Sequence, residues 1–207
     1  MMRKVVMHYG FVKERFDNNL RNNRIKGFIC FACVELEVVE AIIITIKIMP
    51  INHLLNHDLS DLILESKQDG FRFLNRLLEE YRSGANTFNQ PGEGIFGAFH
   101  KNEELIGIGG LTIDPYSNDK NIGRIRRFYV SKSFRRQGVG NLLLHEILSY
   151  ARGFFKVIVL RTDTYPADQF YVSFGFKKTN IYPQSTHYFL LDSKTKDWMK
   201  YRKHLNS

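Results

Sequence analysis

Arg135, Arg136, Gln137, Gly138, Val139 and Gly140 form a short basic stretch with two glycines, just ahead of a run with helical apolar spacing. The first N–H groups of a helix have no internal partner and stand at the positive end of its dipole. Glycine removes the side chain that would hold an anion away from them. The two arginines add charge. Residues of these types in this order make an anion cradle, and a pyrophosphate fits one. The same glycines would also serve a solvated strand-to-helix turn, so spacing alone leaves both readings open. A second group centres on Tyr171, within Ala167-Asp168-Gln169-Phe170-Tyr171-Val172-Ser173-Phe174-Gly175-Phe176. A phenol is a weak acid that can hand a proton to a leaving group. Beside Phe170, Phe174 and Phe176 it reads equally as a core aromatic.

Other chemistry-bearing residues have less support. Cys30 and Cys33 are spaced C-x-x-C, but there is no second pair to complete a zinc site. Their apolar surroundings suit two buried, reduced thiols, which fits a reducing cytosol. His53 and His57 lie four apart beside Asp58, without an HExxH pattern, and read as surface or capping histidines. The phosphate-loop pattern GxxxxGK[ST] is absent, and Leu143 stands where a dinucleotide fingerprint needs a third glycine or alanine.

The cradle needs a strand before it and a helix after it. Ile122 to Val130 is rich in β-branched and aromatic residues and predicts the strand. Apolar residues at 139, 142, 143, 147 and 150 predict the helix, with Gly153 as its stop. Upstream, Ala41 to Met49 reads as a buried strand. One helix opens at Asp58 to Asp61 and breaks at Asp69-Gly70. Phe71, Leu74, Leu77, Leu78 and Tyr81 give a second amphipathic helix ending near Gly84. Gly94 to His100 and Glu104 to Ile113 predict a hairpin turning at Lys101 to Glu103. Downstream come a strand over Lys156 to Arg161, a short helix holding Ala167 to Ser173, a strand beginning near Phe174 and another over Thr186 to Leu191. On alternation, Arg124 and Arg126 should share one face of their strand and Arg127 the other.

The order strand, Arg135-x-x-Gly138-x-Gly140, helix, followed by the Tyr171 block, resembles the GNAT superfamily of N-acetyltransferases. The resemblance covers about Ala41 to Leu191 and is sharpest between Gly109 and Phe176. It implies an α+β fold, a largely antiparallel sheet carrying a βαβ unit that holds acetyl-CoA. Two parallel strands should splay, with the pantetheine arm pairing against the backbone of Phe128, Tyr129 and Val130. Arg135, Arg136, Gln137, Gly138, Val139, Gly140 and Asn141 would take the phosphates, and Thr164 and Phe170 complete the cofactor-binding set. The reaction implied is direct attack of a primary amine on the acetyl carbonyl. Tyr171 would protonate the departing thiolate, and a backbone N–H near Val130 would support the oxyanion.

Two positions depart from the family pattern. Arg124 stands where many relatives carry a glutamate on the strand, so a water relay or another carboxylate must act as base; Asp163 and Glu146 are nameable. Thr164 stands where an asparagine is frequent. The helical region before Gly84 is the family's variable part and should hold acceptor choice.

The 207 residues carry a net charge of +9, from 30 Lys and Arg against 21 acids, a balance that suits nucleic acid, an anionic membrane or a phosphorylated cofactor. Between Asn121 and Arg161 there are nine Lys or Arg and one acid, Glu146, so the excess sits around the proposed phosphate site. An alternative of another class is a nucleic-acid-binding module using Arg124, Arg126, Arg127, Arg135, Arg136 and the basic tail. A non-catalytic acyl-CoA-binding protein is a third. Residues 41–207 read as one acetyltransferase domain, with 1–40 an extension of uncertain structure and 193–207 a basic tail. Glu35, Glu37, Glu40 and Lys47 break the apolar run from Phe28 to Ile48, which rules against a membrane span there. The expectation is a cytoplasmic enzyme, with a homodimer an open option.

Overall fold

A computed structural model describes residues 46–191. The expectations for Cys30 and Cys33, for the extension and for the basic tail lie outside the described residues. So does most of the first expected strand, of which β1 (Lys47–Pro50) is the visible end. Helices α1 (Ser60–Gln68) and α2 (Phe73–Ser83) follow. Next come strands β2 (Gly94–Phe99), β3 (Leu105–Ile113) and β4 (Ile122–Val130). Helix α3 (Val139–Ala151), strand β5 (Val157–Leu160), helix α4 (Tyr165–Phe174) and strands β6 (Lys177–Lys178) and β7 (His187–Leu190) complete the order. The seven strands form one sheet in the order β1-β2-β3-β4-β5-β7-β6, antiparallel except where β4 meets β5.

Two cores cover the two faces of this sheet. On one, α3 and α4 bury Leu143, Leu144, Ile147 and Tyr171 against Leu111, Ile125, Ile158 and Leu160. On the other, α1 and α2 bury Leu62, Leu74 and Leu77 against Ile95, Phe99, Ile108 and Tyr129. Helix α3 follows its apolar spacing closely. It ends at Ala151, two residues before the expected stop at Gly153.

Two expectations are corrected. Phe174 does not open a strand; it is the last residue of α4, and Gly175 caps the helix at φ +110°, a backbone region that suits glycine. The second correction concerns Arg127. Ile125 and Tyr129 are four residues apart, so a regular strand would place them on one face. They lie in different cores. The reason is a bulge: Gly110 pairs with Arg126 and Ile108 with Tyr129, so β4 holds one residue more than β3 over that stretch. Arg127 takes the extra position at φ +58°. Its guanidinium therefore reaches Glu80 of α2 rather than the face of α3 and α4.

Candidate functional site

Strands β4 and β5 pair only at Ile122 with Val157, Gly123 with Ile158 and Arg124 with Val159. Beyond Arg124, β4 runs on to Val130 with no strand beside that edge among the described residues. The Ser131 N–H donates to the Ile106 carbonyl at 2.8 Å, on the β3 side. Alternation then turns the backbone groups of Val130 and Phe128 the other way, into the open gap. The bulge sets this phase. The Val130 carbonyl accepts a bond from Arg135 Nε at 2.9 Å.

At one end of the gap lies the loop before α3. Arg136 at φ +60° and Gly138 at φ +81° are both left-handed, a pattern that turns successive N–H groups toward one side. Leu142 N–H is the first to bond within the helix, to the Gly138 carbonyl at 3.0 Å. The N–H groups of Val139, Gly140 and Asn141 precede it and form the open first turn. The two glycines serve different ends. A Cβ on Gly138 would meet nothing within 4 Å, so glycine is there for its φ, and the space in front stays clear. A Cβ on Gly140 would stand 3.3 Å from the Phe170 ring, so glycine there lets α3 pack against α4. The Gln137 side chain donates to the Ser133 carbonyl at 2.7 Å and closes the loop on itself.

The charges of this loop are held by one carboxylate. Asp69, just past α1, accepts from Arg135 at 2.7 Å and from the Tyr129 hydroxyl at 2.9 Å, and pairs with Lys132 Nζ at 2.9 Å. Hydrogen bonds from Lys132 and Arg135 hold the Asp69 carboxyl far below the usual carboxylate range. The Arg135 guanidinium also lies 5.0 Å over the Tyr129 ring. Burial, then the Asp69 hydrogen bond, pushes the Tyr129 phenol up. The expectation that both arginines face an anion thus takes a specific form: Arg135 braces the loop, while Arg136 is exposed beside it.

Tyr171 closes the gap on the side of α3 and α4. It is buried, and its ring lies 6.1 Å from Phe128, 5.1 Å from Phe170 and 5.5 Å from Phe176. Among the described residues its hydroxyl has no hydrogen-bond partner. Burial alone pushes this phenol up, so it holds its proton at neutral pH. Thr164 is the residue before α4, and its side chain makes no capping bond. Sequence reasoning missed the support behind Tyr171. His187 of β7 is buried with its ring 6.2 Å away, and its Nε2 lies 3.2 Å from Asp168 Oδ1, out of line for a hydrogen bond. Burial pushes the His187 imidazole down, against the pull of the Asp168 carboxylate. Lys178 Nζ meets the same carboxylate at 2.8 Å. A lone histidine in a strand gives no signal in the sequence that could have found this cluster.

The opposite face of β4 is polar. Arg124, at the position matched to a family glutamate, is buried and donates to Asp114 at 2.7 Å and to the Gln184 and Pro183 carbonyls at 2.8 and 2.9 Å. Arg127 Nη2 donates to both carboxylate oxygens of Glu80, at 2.9 and 2.8 Å. These buried pairs remove Arg124 and Arg127 from any continuous basic surface, which weakens the nucleic-acid alternative. The two nameable bases lie apart from Tyr171's pocket in character: Asp163 is exposed and 3.4 Å from Arg161, and Glu146 is exposed on α3. No helix among the described residues is long and apolar enough to cross a membrane.

Comparison with known proteins agrees with this geometry. A family model described as "Acetyltransferase (GNAT) family" matches residues 56–176. A structure from Exiguobacterium sp. 255-15 assigned as an acetyltransferase is 29% identical at a TM-score of 0.63, over 70% of this chain and 93% of that one. A GNAT-family acetyltransferase from Staphylococcus aureus Mu50 has the same fold at 20% identity and a TM-score of 0.57, over 71% of this chain and 99% of its own. YhbS of Escherichia coli, a GNAT-family N-acetyltransferase solved with CoA, is 17% identical at a TM-score of 0.51, over 72% of this chain and 82% of its own.

Proposed function

Because the chain belongs to the GNAT acetyltransferase family, we propose that it transfers the acetyl group of acetyl-CoA to a primary amine by direct attack in a ternary complex. The observation that carries this reading is the gap between β4 and β5, with the open first turn of α3 at one end and Tyr171 against Phe128 on the α4 side. The Escherichia coli protein of the same fold was solved with CoA, which supports the same ligand here.

In this reading the N–H groups of Val139, Gly140 and Asn141 receive the pyrophosphate, with Arg136 beside them. Phe128 and Val130 offer their gap-side backbone groups to the amides of the pantetheine arm, as an edge strand would. Phe170 walls the arm on the α4 side, and the free Thr164 hydroxyl lies at the start of the same helix. The acceptor nitrogen forms a C–N bond to the acetyl carbon while the Val130 N–H supports the carbonyl oxygen. The C–S bond then breaks, and the thiolate takes the Tyr171 proton. The amine's own proton leaves through water, which in turn returns a proton to the Tyr171 phenolate; Arg124, a guanidinium bonded to Asp114, is no base. The proposal places the enzyme in the cytoplasm.

Calorimetric titration with acetyl-CoA and with CoA, at two salt concentrations, tests the reading. Saturable one-site binding that weakens at high salt is expected. Absence of binding by folded protein would refute it.

A further inference from the structure

On the polar face of β4, Arg126 has no ion-pair partner among the described residues. Arg126 sits one residue before the bulge and opposite Gly110 of β3. Arg124, two residues earlier on the same face, is committed to Asp114 and two carbonyls. Arg127 is committed to Glu80. Arg126 is half-buried, and among the described residues it makes no ion pair or hydrogen bond. Burial and the neighbouring Arg127 charge both disfavour its cation, with Glu80 and Tyr116 in partial compensation.

Its surroundings are unsatisfied too. Three of the four buried side-chain polar atoms left without a partner among the described residues are Arg127 Nε, Asp114 Oδ2 and Thr112 Oγ1. Thr112 lies opposite Arg124 in the register, and Asp114 bonds Arg124 directly. All three therefore share the face of the sheet that carries Arg126. A buried polar atom without a partner costs about 1–3 kcal/mol, and an unpaired charge costs more. Of these groups, the Arg126 cation is the one that is only half-buried and so open to a ligand.

The position says which ligand. The gap beside β4 opens just past Arg124, and α4 with Tyr171 covers its other face. A nucleophile that reaches an acetyl group in the gap from the α1 and α2 side of the sheet passes Arg126. We propose that the acceptor is an amine that also bears a carboxylate, which docks on the Arg126 guanidinium. This rests on the acetyltransferase reading above and names its substrate class. Decarboxylated or amidated counterparts leave the guanidinium unpaired and are poor acceptors.

The test measures thiol release from acetyl-CoA with matched pairs: α- and ω-amino acids, each against its own amide. Wild type should favour the acid by about 10- to 100-fold in kcat/KM, the range of a hydrogen-bonded charge pair. Arg126→Gln should bring that ratio close to one through KM, leaving the amide rates and acetyl-CoA affinity unchanged. Arg126→Lys should restore part of the preference, which a loss of folding could not do. Equal use of acid and amide overturns the proposal, as does a preference that survives Arg126→Gln. Acetyl-CoA binding without turnover of any amino acid overturns it and leaves the cofactor assignment intact. Failure of acetyl-CoA to bind overturns the acetyltransferase reading itself.

Discussion

Tyr171→Phe removes one oxygen and should lower turnover while leaving stability nearly unchanged. The Tyr171 ring is buried, but its unbonded hydroxyl is not among the buried polar atoms without a partner, so it keeps contact with solvent. Folding therefore does not strip that hydroxyl of water. The ring contacts with Phe128, Phe170 and Phe176 survive in phenylalanine. A change under about 1 kcal/mol in a chain of 207 residues moves Tm by less than about 2–4 °C. If the hydroxyl supplies the thiolate's proton, kcat should fall about 10²-fold, within the range of a positioned general acid. Acetyl-CoA affinity should not change. Differential scanning calorimetry of the free protein and a thiol-release assay read the two effects separately. A Tm that drops by several degrees would mean that the hydroxyl has a structural partner. An unchanged kcat would remove Tyr171 from the reaction.

The other predictions concern the cradle, the buried ion pair and acid pH. Gly140→Leu drives a branched chain into the Phe170 ring, already 3.3 Å from the Cβ position, and should weaken acetyl-CoA binding by calorimetry at least about tenfold. Gly138→Ala meets no neighbour, so it should cost only the left-handed strain of about 1–2 kcal/mol in urea melts; a larger loss would contradict the open space there. Arg124→Met leaves the Asp114 carboxylate buried and unpaired, and should destabilise by about 3–5 kcal/mol in urea; a loss under about 1 kcal/mol would refute the buried pair. His187 is held neutral by burial, below the ordinary 6.5, so the unfolded chain takes up a proton that the native state resists. Stability should fall as pH drops below about 6.5, and His187→Gln should flatten that slope in denaturant midpoints between pH 5 and 7.5.

The parts of the fold that were legible are those encoded locally. The strand Ile122–Val130 was read with the bounds the structure gives, because its composition and its flanking turns both mark it. Helix α3 was legible from its apolar spacing, and the cradle from its glycines. The bulge at Arg127 was not. Bulges commonly announce themselves by glycine, whereas here Arg127 takes the positive φ and Glu80 holds its side chain from 47 residues away. The role of Arg124 was hidden for the same reason, since its carbonyl partners lie 59 and 60 residues downstream. Gly140 was legible as a glycine with purpose, but its partner Phe170 was not, because helix-to-helix contact leaves no mark at either position alone. Composition located the positive charge but not its neutralisation, and only the contacts separate Arg126 from its two paired neighbours.

The short β4–β5 seam joins the two parts of the sheet, β1 to β4 and β5 with β7 and β6, by three residue pairs, while the core beneath α3 and α4 spans both. A molecule lying along the open edge of β4 would add further rungs to that join. At a hundredfold excess over its dissociation constant, such a ligand adds about 2.7 kcal/mol against unfolding. Resistance to proteolysis would then rise with the acetyl-CoA concentration.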